Sequence, residues 1–383
     1  MELKEICNVF SGYAFKEFHE EPLGTPVIKI GNIKQDGSIE LENCNYTNEI
    51  PNIKYKSADG DIYVALSGAT TGKIGLMTSN EFYINQRVGI VRLIDKNVPI
   101  QYLKFFLISK TKKILKDASG AAQPNISPKQ IEKYEFKLKS YEEMNKICNQ
   151  LLEIENLIKS KKQQILIFEQ LIKSQFIEMF GDVDGNEKCT QTLPMTELCE
   201  IIDGDRGKNY PKQEEFFEEG YCLFLNAKNV TPNGFSFENC MYITEEKDKI
   251  LRNGKLSRGD VVLTTRGTIG NLAFYDESVS FEHIRINSGM VILRMKYYIV
   301  ERFFIEQFKM KLTSIKNKIA SGSAQPQLPI STMNKIVMLV PPIELQNQFA
   351  AIVEQIDKSK YILQKQINAL QELLDSKMEE FFG

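Results

Sequence analysis

The segment Ser119-Gly120-Ala121-Ala122-Gln123-Pro124 returns as Ser321-Gly322-Ser323-Ala324-Gln325-Pro326, an offset of 202 residues. Downstream the offset holds without a gap: Lys133 matches Lys335, Glu142 matches Glu344, Asn145 matches Asn347 and Gln164-Ile165 matches Gln366-Ile367. Glu178, Phe180 and Gly181 match Glu380, Phe382 and Gly383 in the same way. Upstream the offset drifts, as it does where loops differ in length. Glu42-Asn43-Cys44-x-Tyr46 recurs as Glu238-Asn239-Cys240-x-Tyr242, Gly60-Asp61-Ile62 as Gly259-Asp260-Val261, and Asn85 to Arg92 as Asn287 to Arg294. Glu5-Ile6-Cys7 pairs with Glu197-Leu198-Cys199. Self-similarity at a long period means a fold built from repeated units. Each half is a variable module followed by a more similar one.

The similar modules carry helical spacing. After Ile147 the apolar positions are Leu151, Ile154 and Ile158, then Ile165, Phe168 and Ile172, with Lys161 breaking the seam. The second copy gives Phe349, Val353, Ile356, then Leu363, Ile367, Leu370 and Leu374, with Lys360 as the break. Sustained spacing of 3.5 residues is the coiled-coil pattern. Each stretch of about 35–40 residues would run about 55–60 Å as a helix. Pro341-Pro342 and Glu344 mark one start, and Gly181 one end. Two matched stripes predict an intramolecular antiparallel pair. The variable modules read as mixed, mostly β: Ile62–Leu66, Val88–Leu93, Val261–Leu263 and Met290–Leu293 are short β-branched runs between glycine and asparagine turns. A helix is expected in each just before the Ser-Gly segment, at 102–113 and 301–318. The fold class is therefore α+β, a tandem repeat with two long helices and a pseudo-two-fold axis.

Composition sets limits on function. At roughly 100–200 residues per domain, 383 residues make two or three domains. Lys and Arg total 48 against 50 Asp and Glu, which excludes a polybasic protein but not a local basic face. The opening Met1-Glu2-Leu3-Lys4-Glu5 lacks a signal-peptide layout, and no apolar run reaches a membrane span; a cytoplasmic protein is expected. Seven cysteines without a CxxC pair, and only His19 and His283 as imidazoles, speak against a disulfide framework or a zinc site.

Catalytic constellations are missing too. Ser67-Gly68-Ala69-Thr70-Thr71-Gly72-Lys73 imitates a phosphate loop, but three residues separate the glycines instead of four and Ile74 replaces the magnesium-binding hydroxyl. A glycine turn between strands is expected instead. Asp61 and Asp260 are read as carboxylates capping local backbone donors, and the repeated cysteines as packing residues.

An antiparallel helix pair would set two differing readers on inverted half-sites of a duplex, whose own dyad matches that arrangement. The turn residues able to read base edges are Ser67, Thr70, Thr71, Lys73, Asn85, Gln86 and Arg87 in the first module. In the second they are Thr264, Thr265, Arg266, Thr268, Asn271, Arg285 and Asn287. Arginine favours guanine, and asparagine or glutamine favours adenine. Net charge is +3 over residues 1–140 and −1 over 182–342, so a partner is expected to supply much of the phosphate contact.

The two variable modules, the Ser-Gly-x-Ala-Gln-Pro segments, the Val340-Pro341-Pro342-x-x-Glu-x-Gln helix entry and the heptad helices together resemble the specificity subunits of type I restriction–modification systems. The first copy departs from the pattern, with Lys139-Ser140 where Pro341-Pro342 stand later. The resemblance covers the whole chain. It implies target recognition domains at 1–140 and 182–342, and spacer helices at 141–181 and 343–383. It further implies recognition of a bipartite, asymmetric site in double-stranded DNA, and docking of two modification (methyltransferase) subunits and of restriction/translocase subunits. S-adenosylmethionine, ATP and Mg would sit on those partners, with no cofactor, metal or catalysis in this chain and no membrane contact. Two alternatives remain at this stage: a two-headed protein–protein adaptor, and the recognition part of a fused methyltransferase or nuclease.

Overall fold

A computed structural model describes the chain except Asn43, Asn80 and residues 119–123, 186–190 and 320–326, and except the side chains of 314 and 316–319. Both Ser-Gly-x-Ala-Gln-Pro segments thus lie outside the described residues, apart from Pro124. Two compact units emerge: residues 1–163 with 364–383, and residues 164–363. Among the described residues no helix is long and apolar enough to cross a membrane.

The first unit opens with β1 (Cys7–Ser11), β2 (Thr25–Ile28), β3 (Asn45–Thr47), β4 (Ile62–Ala65), β5 (Ile74–Leu76), β6 (Tyr83–Ile84) and β7 (Val88–Leu93). Helices α1 (Ile100–Ser109), α2 (Thr111–Ala118) and α3 (Pro128–Glu132) follow, and then the long α4 (Tyr141–Phe180). One antiparallel sheet has the order β1-β7-β4-β5; a smaller one, β3-β2-β6, pairs β2 with β6 in parallel.

Strand β4 is buried on both faces, and its alternation sorts two cores. Ile62 and Val64 join α1, α4 and the end of the last helix, whereas Tyr63 and Ala65 face the small sheet.

The second unit repeats this plan. It adds β8 (Thr192–Pro194), α5 (Met195–Leu198), β9 (Cys199–Asp203), β10 (Cys222–Leu225), β11 (Val230–Thr231), β12 (Gly234–Phe235), β13 (Tyr242–Ile243) and α6 (Glu245–Ile250). Then come β14 (Val261–Thr264), β15 (Leu272–Phe274), β16 (Ile284–Ile286), β17 (Met290–Met295), α7 (Glu301–Ile319), α8 (Ile330–Met333), β18 (Val337–Leu339) and α9 (Ile343–Phe382). The large sheet is β9-β17-β14-β15 and the small one β13-β10-β16, again with one parallel pair. Both orders equal those of the first unit. Val261 and Leu263 face the helices, and Val262 the small sheet.

The long helices begin differently. Ser140 caps α4: its hydroxyl accepts the Glu143 N–H at 3.2 Å, and the Glu143 carboxylate accepts the Ser140 N–H at 3.2 Å. This capping box does locally what the proline pair does before α9.

Each helix serves both units, and within each unit the two segments run antiparallel. In the first, Met144, Ile147 and Leu151 share a core with Met378 and Phe382, and Lys161 donates to Gln366 at 2.7 Å. In the second, Phe176 and Phe180 lie 5.6 and 5.7 Å from Phe349, and Lys360 reaches Glu169 at 3.5 Å. The two lysines that break the seam are thus met by polar partners on the facing helix. Of the seam positions, Leu151, Ile154, Ile158, Ile172, Val353, Ile356 and Ile367 are buried. Ile165, Phe168, Leu363, Leu370 and Leu374 are half-buried. The stripe extends past its expected end to Phe176 and Phe180 in α4 and to Met378 and Phe382 in α9, all buried.

Those helix ends are structural plugs. Phe180 packs on Phe303 at 5.0 Å, with Phe176 stacked on the same ring at 5.7 Å. Phe382 packs on Tyr102 at 5.0 Å, and its carbonyl accepts from the Lys110 ammonium at 2.5 Å. Replacing fully buried Phe176 by alanine should cost about 3–5 kcal/mol, read as a lowered denaturation midpoint at unchanged slope. An unshifted midpoint would mean the ring adds nothing to the second unit's core.

Candidate nucleic-acid interface

In each unit three segments meet where the central strand of the large sheet ends. In the first, the turn after β4 is closed by Gly72 N–H to Ala65 O and Ala65 N–H to Lys73 O, both at 2.9 Å. Gly68 and Gly72 sit at φ of 80° and 83°, which side-chain-bearing residues rarely adopt. Leu66 N–H reaches Arg87 O at 2.9 Å, and Ile126 N–H reaches Leu66 O at 2.9 Å. Turns 67–73 and 85–87 and the segment from Pro124 to Ile126 are thereby fixed side by side. The segment therefore is a glycine turn between strands, as its spacing implied.

The second unit uses the same bonds. Gly270 N–H reaches Thr264 O at 2.9 Å, Thr264 N–H reaches Asn271 O at 3.0 Å, Thr265 N–H reaches Gly289 O at 2.8 Å and Leu328 N–H reaches Thr265 O at 3.0 Å. These bonds equate Ser67 with Arg266, Lys73 with Asn271 and Arg87 with Gly289. The first module therefore raises its guanidinium from the turn before β7, the second from the turn after β14. Both arginines are exposed.

Gln86 and Thr268 are also exposed, while Ser67, Thr70, Lys73, Asn85, Asn271 and Asn287 are half-buried. The hydroxyl oxygens of Ser67 and Thr70 are shielded from solvent and have no partner among the described residues. Asn85 and Asn287 each use their side-chain oxygen locally, for Arg87 N–H at 3.2 Å and Gly289 N–H at 2.9 Å. Asn271 donates to Val230 O at 2.9 Å.

Four expected readers are not presented at all. Thr71, Thr264, Thr265 and Arg285 are buried, and each is committed inside the fold. Thr71 donates to Gly68 O at 2.7 Å and Thr265 to Gly289 O at 3.0 Å. Thr264 donates to Thr268 O and accepts from Asn271 N–H at 2.9 Å. Arg285 pairs with Asp248 and donates to the carbonyls of Asn253 at 2.7 Å and Leu251 at 3.1 Å. An arginine on a buried strand needs such partners, so this one is spent on the small sheet and is not presented at the surface.

Structural ion pairs were the residues that motif reading missed. Asp61 caps the Ala58 N–H at 2.8 Å, as expected, but also takes both forks of Arg92 at 2.7 Å. Asp260 does the same with Ser257 N–H at 2.7 Å and with Arg294 at 2.9 and 2.7 Å. The repeat aligns both members of each pair, a signal that could have found them. The repeated Cys7 and Cys199 are buried, and burial pushes each thiol up to about 12, so both stay protonated at neutral pH.

The architecture is that of a tandem repeat: two mixed α/β modules of one strand order, with differing turns at equivalent corners. The profile of the type I restriction modification DNA specificity domain matches residues 1–167 and 189–372. The chain belongs to that family. A type I restriction enzyme specificity subunit of Methanocaldococcus jannaschii, MjaIX, is 25% identical over 332 residues, covering 81% of this chain and 74% of that protein. The putative MjaX specificity subunit of the same organism is 22% identical over 385 residues, 93% of this chain and 86% of that one. The solved S subunit from M. genitalium covers this whole chain with 95% of its own length, at a TM-score of 0.51 and 16% identity. A second solved chain, from a study of type I R-M complex assembly and conformational transition, gives 0.56 at 15% identity, with 100% of this chain and 96% of its own covered. The protein is a specificity subunit, devoted to DNA sequence recognition within a restriction–modification complex and assembling with the other subunits of that system.

Burial opposes ionisation of Asp248, but hydrogen bonds from Lys255 and Arg285 outweigh it and hold the carboxyl below its ordinary value. A depressed carboxyl adds stability above its unfolded pKa, about 3.9, which is lost as pH falls through the folded value. Asp248→Asn should therefore destabilise the protein by about 3–5 kcal/mol at neutral pH by stranding Arg285, and the gap to wild type should narrow below about pH 4. A gap independent of pH in denaturation curves would show that this carboxylate carries no such linkage.

Proposed function

We propose that the chain reads a bipartite, asymmetric site in double-stranded DNA, one half-site per module, and that α4 and α9 act as the spacer between the two readings. The observation that carries this reading is the exchange of arginines on a common frame: Arg87 opposite Ser67 in one module, Arg266 opposite Gly289 in the other. Identical strand order keeps the corner the same, while different side chains at equivalent points read different bases. On this reading two modification subunits and the restriction/translocase subunits dock on the chain in the cytoplasm. The partners carry S-adenosylmethionine, ATP and Mg, and the chain itself binds no cofactor. Exposed apolar side chains on the helices, Leu157 and Leu373 in the first unit and Leu171, Ile177 and Ile362 in the second, supply surface suited to subunit docking.

Co-expression with the modification subunits and mapping of methylated adenines across the host genome tests the reading directly. One asymmetric motif with a fixed gap is expected; a soluble complex with no motif would move the protein–protein adaptor to the front. Within such a motif, Arg87→Ala should lower methylation by about 5- to 100-fold and relax one half-site only, and Arg266→Ala the other. Equal loss on every sequence would assign these arginines to phosphate. Inserting one heptad into both helices should lengthen the preferred gap, and an unmoved gap would refute the spacer role.

A further inference from the structure

Beside the turn 85–87 the two modules differ in a way that the arginine exchange does not cover. In the first module, Gly12 follows β1 and Tyr13 is stitched to the turn: its N–H reaches Ile84 O at 2.8 Å and its carbonyl accepts Gln86 N–H at 2.9 Å. Gly12 can pass here because any side chain would strike Ile84 O and Asn85 O, at 2.2 and 2.5 Å from its first carbon. The Tyr13 ring lies 5.0 Å from Phe15, part of the small-sheet core, and 5.5 Å from Tyr55. The exposed Lys54 ammonium caps Tyr55 at 4.8 Å from its centroid. Both tyrosines are half-buried. The result is a backbone-anchored aromatic ledge with a cation at its edge, next to Gln86 and Arg87.

The second module has the same backbone and none of this chemistry. Gly204 stands where Gly12 stands, its added carbon meeting Asn287 O at 2.2 Å. Asp205 takes the place of Tyr13, and its carboxylate accepts Arg252 N–H at 2.7 Å. The antiparallel bridges of Lys56 to Tyr83 and of Lys255 to Arg285 set Gly254 in the place of Tyr55. At Gly254, φ is 83° and a side-chain carbon would lie 3.0 Å from Ile286. Arg206 is bound to Asp203 at 3.0 Å and to Ser288 O at 3.2 Å. One module thus offers an apolar ring where the other offers a carboxylate.

We infer that Tyr13 is a specificity-determining residue of the first module, packing on the 5-methyl group of a thymine next to the base read by Gln86 and Arg87, while Tyr55 and Lys54 hold the flanking phosphate. This rests on the half-site reading proposed above and names its contacts. The chemistry selects the ligand. In the major groove thymine alone presents an apolar group, the methyl. A tyrosine hydroxyl and a lysine are ordinary phosphate partners, and Lys54 lies over the Tyr55 ring face. At the Tyr13 position of the second module, the Asp205 carboxylate gains nothing from a methyl and is repelled by phosphate. Thymine-methyl dependence therefore belongs to one half-site only.

The test uses the assembled methyltransferase complex and synthetic duplexes carrying its own motif, in which each thymine is replaced singly by uracil, which lacks the methyl. One replacement in the half-site that Arg87→Ala relaxes should lower methylation by about threefold to tenfold, and none in the other half-site should. Tyr13→Ala should lower activity on the thymine duplex and abolish the difference between thymine and uracil. No uracil effect in that half-site, or an effect that survives Tyr13→Ala, overturns the inference. The uracil scan on the wild-type complex decides even if the variant does not assemble. If Arg87→Ala changes neither half-site, the turn reading itself has failed; if Arg87→Ala is selective and uracil is silent, only the ledge has.

Discussion

The structure depends on an exchange of helix ends. Phe180, at the end of α4, completes the core of the module that follows it, against Phe303 and Phe349. Phe382, at the end of α9, completes the core of the module at the start of the chain, against Tyr102 and Phe106. Each large sheet is thus backed by segments of both long helices, not by its own alone. Aromatic clusters bury large apolar areas with defined ring geometry, so the helices are held to the sheets by the same contacts that hold them to each other. A corner at the end of β4 or β14 inherits its position from that backing through a strand that is buried on both faces.

Stability and recognition are separated within each module. The frame is fixed by groups that point inward: the Asp61–Arg92 and Asp260–Arg294 forks, the hydroxyls of Thr71, Thr264 and Thr265, and the Arg285–Asp248–Lys255 cluster. The tips carry what differs: Ser67 against Arg266, Arg87 against Gly289, Tyr13 against Asp205. The corner itself is closed by backbone-to-backbone bonds, so side chains at the tips can change without moving it. Two modules of one architecture can thus carry unlike side chains at equivalent corners.

Much of this was legible in the sequence, for identifiable reasons. A 202-residue offset is a property of the letters themselves, and a 3.5-residue stripe follows from helix geometry, so the tandem organisation and the long helices could be read directly. The sheet orders could not. Pairing β1 with β7, or β2 in parallel with β6, joins segments more than 50 residues apart, and no local pattern encodes such partners. The turns that make up the candidate site were legible from residue type and spacing, but the exposure of their side chains was not. Arg285 has the same composition signal as Arg87; what removes it is Asp248, 37 residues upstream on α6. The stripe was read as ending at Ile172 and Leu374, while Phe176, Phe180, Met378 and Phe382 continue it, because there the helices meet sheet-bearing units and the spacing no longer follows a bare two-helix seam. Tyr13 and Tyr55 are unremarkable letters until the backbone puts their rings 5.5 Å apart.

The bond from Lys110 to the carbonyl of Phe382 spans 272 positions, and that span has a consequence for how the protein is made. At a synthesis rate of about 5–20 residues per second, the first module leaves the ribosome long before the segment that seals it. Until then the rings of Tyr102 and Phe106 lack the Phe382 ring that packs on them. The second unit, continuous from 164 to 363, holds every piece of its own core earlier. Segment 364–383 is made after every residue of the second unit, so the first module, although it begins the chain, is the last to receive all the pieces of its core.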